Sequence, residues 1–441
     1  MATVGFVSLG CAKNRVDAEM MMYKLREAGH RLIEDAAMAD VAVINTCGFI
    51  ESAKQESINE ILELAQLKKE GRIKAIVVTG CLAERYREEI RREIGEVDAV
   101  IGIGKNADIA EAVDAALAGR PYEAFPDKLS LPLDGGRVQS TEQHWAYLRI
   151  ADGCDNCCTY CAIPLIRGRF RSRRMENIIE EAERLAHNGV KELNVIAQDT
   201  TRYGEDLYGE LKLPQLLRRL CRIDGIRWIR VLYCYPDRLT DELLDTIREE
   251  EKIVNYIDLP LQHCDGRILG LMNRRGNKER LLSLLSHIRE RIPGVVLRST
   301  LIAGFPTEGD EEFEQLSDFV RQAGFERLGC FAYSQEENTP AALMDGQVDE
   351  ELKEHRAALI NEQAAIRMNA FCEEMIGQVV EVLVDGFDRY AECCYGRSRF
   401  DAPEVDPCVF FTAERRPRPG EIVRVKITDH IDCDLTGEML C

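Results

Sequence analysis

No run of eighteen or more apolar residues occurs in this 441-residue sequence, which excludes an ordinary membrane-spanning helix. The start, MATVGFVSLGCAKNRVDAE, lacks the basic opening, apolar middle and small-residue cleavage site of a secretory signal, so a cytoplasmic location is expected. There is no internal repeat and no low-complexity tail, so solenoids and disordered tails are set aside. Positive charge is in deficit, with 57 Lys and Arg against 77 Asp and Glu, a formal net charge of −20. Such a surface repels phosphate backbones, which predicts no direct nucleic-acid substrate and favours a basic protein partner. What the sequence does have is cysteine, at 17 positions. In a reducing compartment these cannot form a disulfide framework, and metal binding or catalysis becomes their expected use.

The length suggests two to four domains. Residues 1–125 alternate short apolar runs (VGFVSLG, VAVINTCG, KAIVVTGC, DAVIGIG) with amphipathic stretches such as DAEMMMYKLREAG, which stops at Gly29. That pattern predicts an α/β domain with a parallel sheet covered by helices. Cys11, Cys47 and Cys81 each follow one of these runs. Ligand crevices of open parallel sheets lie at the strands' carboxyl ends, so the three thiols should converge. A Pro-, Gly- and Asp-rich linker, 121–143, precedes a second region, 140–373, with six strand-like runs separated by helices. Six such repeats suggest a partial parallel (β/α)6 barrel whose site lies at the strand C-terminal rim. Residues 376–441 change to short alternating strands with turns and read as a small antiparallel β-barrel.

The stretch GCDNCCTYCAIPLIRGRFRSRR, residues 153–174, follows the first barrel strand. Cys154, Cys158 and Cys161 are spaced C-x3-C-x2-C, a triplet that chance placement of this many cysteines would give only about 0.03 times. A zinc knuckle normally separates its two CxxC halves by a dozen or more residues, whereas here they abut. Three thiolates on one loop suit an iron–sulfur cube whose fourth iron lacks a protein ligand. S-adenosylmethionine is the cofactor of radical chemistry that chelates such an iron. Cys157 falls outside the spacing and is expected to be a packed small residue. Among other candidates, the basic run Arg167, Arg169, Arg171, Arg173 and Arg174 is either a solvated loop or a holder of a cofactor or substrate carboxylate. Gly304, in AGFPTE, is either a close backbone approach to a ligand or a packing position. His263 is a rim candidate, although a hydrogen-bonded structural histidine is the commoner outcome.

These motifs resemble the radical S-adenosylmethionine superfamily, in which Tyr160 would be the aromatic residue before the third cysteine. The resemblance extends over nearly the whole chain to the methylthiotransferases. It implies a second iron–sulfur cluster with an open iron on Cys11, Cys47 and Cys81, and a C-terminal TRAM-like barrel. It also implies two [4Fe-4S] clusters and S-adenosylmethionine as cofactors, with Tyr160 on the cofactor side. SLGCAKNRVDAE, PLIRGRFRSR, YIDLPLQH, TLIAGFPTE, YSQEENTPA and YGRSRFDAPEVD are similar to the branch that modifies a ribosomal protein. Gln335, Asn338 and Thr307, the last where many relatives have glycine, depart from the commoner wording.

The resemblance implies a methylthio group added to the β-carbon of an aspartate in the decoding-centre protein of the small ribosomal subunit. That methylene is too weak an acid for side-chain bases with useful pKa values of about 6 to 8, so a radical is required. The implied partners are a basic ribosomal protein or the assembled subunit and an electron donor such as flavodoxin or ferredoxin. Nothing demands more than a monomer. A transfer-RNA methylthiotransferase with the same cofactors, and a non-catalytic electron-transfer or zinc-binding protein, stay open at this point. The barrel segment 376–441 bears thirteen Asp and Glu against eight Lys and Arg, a net of −5, where RNA binding would favour the opposite sign.

Overall fold

The computed structural model describes residues 1–440. The chain forms two compact units, each assembled from non-contiguous segments. The first contains 1–140, 151–173 and 334–342; the second contains 141–150, 174–333 and 343–441. The cysteine loop and residues 334–342 belong to the same unit as the N-terminal sheet.

In the first unit six strands run parallel in the order β2-β1-β3-β4-β5-β6. They are β1 (Thr3–Ser8), β2 (Arg31–Ile33), β3 (Val41–Thr46), β4 (Ala75–Gly80), β5 (Ala99–Ile101) and β6 (Tyr122–Ala124). Two of these, β2 and β6, are three-residue edge strands too short to show a pattern in sequence, and β6 begins inside the expected linker. Helices α1 (Ala12–Glu27), α2 (Glu51–Lys69), α3 (Cys81–Arg85), α4 (Arg87–Glu93) and α5 (Ile109–Leu117) cover the sheet. Both faces are apolar, as a helix-covered parallel sheet requires. Val41 and Val43 face α1 and α5 through Ala18, Met21, Leu25, Ile109 and Val113, while Ala42 and Ile44 face Ile61 and Leu64 of α2 and Leu82 of α3. The short helix α6 (Ile163–Arg167) and a two-stranded antiparallel ribbon, β8 (Ala151–Asp152) with β9 (Arg171–Ser172), complete this unit's regular structure.

The second unit carries an open, wholly parallel sheet of six strands in the order β14-β13-β12-β11-β10-β7. These are β7 (Trp145–Arg149), β10 (Glu192–Ile196), β11 (Trp228–Val231), β12 (Ile253–Asp258), β13 (Val296–Ala303) and β14 (Arg327–Ala332). All six match the runs read in the sequence, and their spatial order is their chain order, so each crossover packs beside the last. Amphipathic helices connect them, among them α7 (Met175–His187), and the long α14 (Glu350–Met375) follows. Strands β15 (Val379–Asp388), β16 (Cys393–Ser398), β17 (Val409–Thr412), β18 (Ile422–Ile431) and β19 (Asp434–Met439) close into a five-stranded barrel. Its pairings are antiparallel except β17 with β19.

A buried ionic seam fastens this barrel to the sheet inside the second unit. Glu192 of β10 accepts from Arg230 of β11 at 3.1 Å and from Arg397 of β16. Arg397 also grips Asp385 at 2.9 and 3.0 Å, and His144 meets Asp385 at 2.7 Å. Arg327 pairs with Asp401 at 2.7 Å, and the Tyr256 hydroxyl donates to Asp406 at 2.6 Å. Removing one charge from such a seam strands the others without water. Glu192→Gln should therefore lower the stability of the second unit by about 3–5 kcal/mol. Denaturant unfolding followed by tryptophan fluorescence reads this, since Trp145 and Trp228, the only tryptophans, both lie in that unit. A shift below about 1 kcal/mol would show the seam to be solvated.

Candidate metal and radical site

In the first unit each N-terminal cysteine sits where a parallel strand ends. Cys11 is the N-cap of α1 just beyond β1, Cys47 follows β3, and Cys81 opens α3 directly after β4. Their loops approach so closely that two glycines are obligatory. A Cβ on Gly10, whose φ is +85°, would lie 2.7 Å from both Cβ and Sγ of Cys47. One on Gly48 would lie 2.7 Å from the Leu82 nitrogen and Cα, and 2.9 Å from the Cys81 carbonyl carbon. Side chains then lock the loops. The Ser57 hydroxyl accepts from the Cys47 amide and donates to its carbonyl, both at 2.9 Å. Asn45 donates to the Asn14 carbonyl and Asn14 to the Leu9 carbonyl, each at 2.7 Å, tying the first turn of α1 to the ends of β1 and β3.

The three thiols feel one another's charge. Burial pushes Cys47 up, and the neighbouring Cys11 thiolate adds to the rise. Burial pushes Cys81 up to about 12, with Arg167 opposing and Cys11 and Cys47 adding. Cys11 is exposed, and the packing around its thiol would raise it through desolvation. Lys13, Arg167 and the amides of Asn14 and Lys13 outweigh this and hold it below the ordinary thiol value. A set of thiols that repel one another on deprotonation fits a cationic iron–sulfur core, which relieves the repulsion and replaces the protons. No group of three or more His, Cys, Asp or Glu among the described residues is gathered around a point as ligands of a single ion. A cube differs from a single ion, because each thiolate binds its own iron.

The second trio belongs to the same unit. Cys154, Cys158 and Cys161 are each half-buried on the loop after β8. The loop is closed by returning backbone, with the Cys154 amide donating to the Gly168 carbonyl at 3.1 Å and the Cys161 amide to the Cys158 carbonyl at 3.1 Å. The Asn156 amide points at the Cys154 sulfur at 3.5 Å. Tyr160 is half-buried between the last two cysteines. Cys157 is not a packed residue as expected. It is exposed, with φ +52°, and serves as a turn position in the loop.

The two cysteine sets are linked through α6, the helix that begins two residues after Cys161. Ala162 and Ile166 of α6 pack on Cys81. Arg167, 1% exposed, donates to Asp17 of α1 and to Asp152 of β8, each at 2.8 Å. Its Nη2 also lies 3.4 Å from the Asn14 oxygen and 3.9 Å from the Cys81 sulfur. Burial alone would lower the Arg167 pKa, but Asp152, Asp17 and the thiols Cys81 and Cys11 drive it well above the ordinary guanidinium value. The guanidinium thus holds two carboxylates, Asp17 and Asp152, between the two cysteine sets. The rest of the basic run divides: Arg173 pairs with Asp134 at 2.7 Å, Arg171 donates to the Leu129 and Leu131 carbonyls, and Arg169 and Arg174 are exposed.

In the second unit, Gly304 has φ +73° and the side of α14 as its close neighbour: a Cβ there would lie 2.1 Å from Lys353 Cγ and 3.0 Å from its Cα. Packing accounts for that glycine. His263 is fully buried, with the Asp265 amide donating to Nδ1 at 3.0 Å and Glu308 3.3 Å from Nε2. Asp17, Asp152, Arg85 and Glu336 were missed in the sequence. The signal available was a charged residue beside each cysteine element, as in RIADGC, where an aspartate interrupts a buried strand.

Comparison with known proteins agrees with this layout. Residues 3–102 match the uncharacterized protein family UPF0004, 148–320 the radical SAM superfamily and 376–440 the TRAM domain. The ribosomal protein uS12 methylthiotransferase RimO of Desulforamulus reducens is 47% identical over 445 residues, covering all of both chains. The protein of the same name from Symbiobacterium thermophilum is 48% identical over 446 residues, covering 99% of this chain and 90% of its own. A solved radical S-adenosylmethionine methyltransferase, TsrM from Kitasatospora setae, shares the fold with a TM-score of 0.57 at 13% identity, over 74% of this chain and 72% of its own.

The clearance at Gly10 is directly testable. Gly10→Ala should push Cys47 away from the Cys11 loop and lower the iron content of anaerobically reconstituted protein. Undiminished iron in this variant would mean that Cys47 does not need to approach that loop. On the convergence of the cysteine loops and the full-length identity to its relatives, the chain belongs to the RimO family of radical S-adenosylmethionine methylthiotransferases.

Proposed function

We propose that this chain adds a methylthio group to the β-carbon of an aspartate in ribosomal protein uS12, using two iron–sulfur clusters. The observation that carries the reading is the gathering of both cysteine trios in one compact unit, joined by the buried Arg167 pairs. In this assignment Cys154, Cys158 and Cys161 hold one [4Fe-4S] cluster and Cys11, Cys47 and Cys81 hold the other. When bound, these groups with S-adenosylmethionine supply a hydrogen-abstracting radical and a sulfur source within one site. The protein's own residues do the rest. Tyr160 flanks the cofactor side of the radical loop. Arg167 balances thiolate charge at Cys81 and Cys11 and fixes α1 against β8. The glycine-lined loop contacts bring Cys47 and Cys81 to Cys11 and limit solvent to the Cys11 side.

The one electron needed comes from outside the chain, from a flavodoxin or ferredoxin. The chain works as a monomer in the cytoplasm; no described helix is long and apolar enough to cross a membrane. Its net charge of −20 suits a basic ribosomal protein.

Anaerobic reconstitution should give about eight irons per chain, falling by about half when either trio is changed to alanine. With uS12, S-adenosylmethionine and a reductant, mass spectrometry should find one methylthio group on one aspartate, absent in both trio variants. Modified adenosine in transfer RNA instead of modified uS12, or full activity from a single cluster, would overturn the assignment.

A further inference from the structure

The motif YSQEENTPA, residues 333–341, follows β14 in the chain, yet from Ser334 to Ala342 it is part of the first unit. It touches the elements that carry both cysteine trios. Glu336 is 2% exposed, and its carboxylate accepts from Arg85 Nη1 at 2.7 Å, with Lys54 Nζ 3.4 Å away. Arg85 ends the helix that begins with Cys81, and its Nη1 also donates to the carbonyl of Gly48, next to Cys47, at 2.7 Å. The same guanidinium donates through Nη2 to the Glu337 carbonyl at 3.2 Å. Ser334 accepts from the Glu51 amide at the start of α2 and donates to Glu336 at 2.7 Å.

The far end of the segment reaches the radical loop. Thr339 caps the Glu336 carbonyl at 2.6 Å, and the Ala341 amide donates at 3.0 Å to the carbonyl of Thr159, between Cys158 and Cys161. Thr339 and Ala341 are essentially fully buried. A six-residue span from Glu336 to Ala341 therefore joins Arg85, which holds the Cys47 and Cys81 loops together, to the backbone of the other trio. A buried carboxylate shared between a forked guanidinium and an ammonium has a narrow choice of geometry, which is what a spacer requires.

We propose that Glu336 is a positioning residue that sets the separation of the two clusters, through Arg85 on one side and the Thr339–Ala341 backbone on the other. This rests on the two-cluster reading above. Chemistry at either cluster alone does not need the spacing. Delivery of sulfur to a carbon radical does, because a misplacement of about 1 Å can cost a hundredfold in rate.

The test compares wild type with Glu336→Gln, Glu336→Asp and Arg85→Lys, each reconstituted anaerobically as the full chain. Glu336→Gln should keep iron in both trios and form deoxyadenosine within about twofold of wild type, while the methylthio product falls at least about tenfold. The spectroscopic readout is the magnetic interaction between the two reduced clusters in electron paramagnetic resonance, which should change both in Glu336→Gln, which loses the charge, and in Glu336→Asp, which shortens the spacer by one methylene. If Glu336→Gln does not fold, as judged by circular dichroism, Arg85→Lys carries the same expectation, since it keeps the charge and loses the fork.

Equal loss of deoxyadenosine and product, iron lost from either trio, or an unchanged cluster interaction would overturn the positioning role. A single cluster in wild-type protein would instead sink the two-cluster reading beneath it, so the two failures are told apart.

Discussion

The buried pairing of Arg167 with Asp17 and Asp152 is the interaction on which the site depends. One guanidinium from α6 meets a carboxylate on the helix that follows Cys11 and another on the strand that precedes Cys154. Taking three charges out of water is costly, and the two carboxylates alone would leave the group negative. The arrangement makes electrostatic sense because Arg167 also faces thiols that must become thiolates, with Lys13 as the second nearby cation at Cys11. A bound iron–sulfur core adds positive charge at the same place. Arg167 and Lys13 thus partly balance in advance the negative potential of the thiols and carboxylates gathered there.

The convergence of the N-terminal cysteines follows from the same topology that makes the sheet stable. A parallel sheet delivers its strand ends to one edge, so Cys11, Cys47 and Cys81 arrive together without any long-range design beyond β1, β3 and β4 being neighbours. The remaining freedom is removed by small residues. Gly10 admits Cys47, Gly48 admits the first turn of α3, and the Ser57 hydroxyl fixes both backbone ends of Cys47. Apolar packing on both sheet faces supplies stability, and the loops spend little of it on strain.

Much of this was legible in the sequence, because the signals were periodic or chemical. Strands β1, β3, β4 and β5 of the first sheet, all six of the second, the stop of α1 before Gly29 and the two cysteine spacings were read from pattern alone. The edge strands β2 and β6 were not, since three residues carry no alternation and, unlike the equally short β5, they sit in no longer apolar run. Nor was the membership of 334–342, which depends on where Arg85 and Thr159 lie in space. Arg167 was singled out, but its carboxylate partners were not: a charged residue beside cysteines is visible in sequence, while the carboxylates it pairs with come from 150 and 15 positions away. Thr307 is an instructive departure. It stands at φ +69°, where glycine would be unstrained, and is held by Arg267 through both its hydroxyl and its carbonyl at 2.8 Å. The extra hydrogen bonds offset a backbone cost that the substitution would otherwise leave bare.

The acidity of the terminal barrel needs the structure to be weighed correctly. Asp385, Asp401 and Asp406 are turned to the ionic seam within the second unit, as is Arg397, and Arg399 donates to the carbonyls of Glu251 and Ile253. Setting these aside, ten acidic and six basic residues remain of the thirteen and eight in segment 376–441, an excess of four negative charges. The barrel therefore keeps its sign after its internal pairs are discounted. A module that follows phosphates needs the reverse, since each lysine or arginine neutralising a phosphate contributes through released counterions. The same excess attracts a basic protein surface at long range and raises the encounter rate in a salt-dependent way.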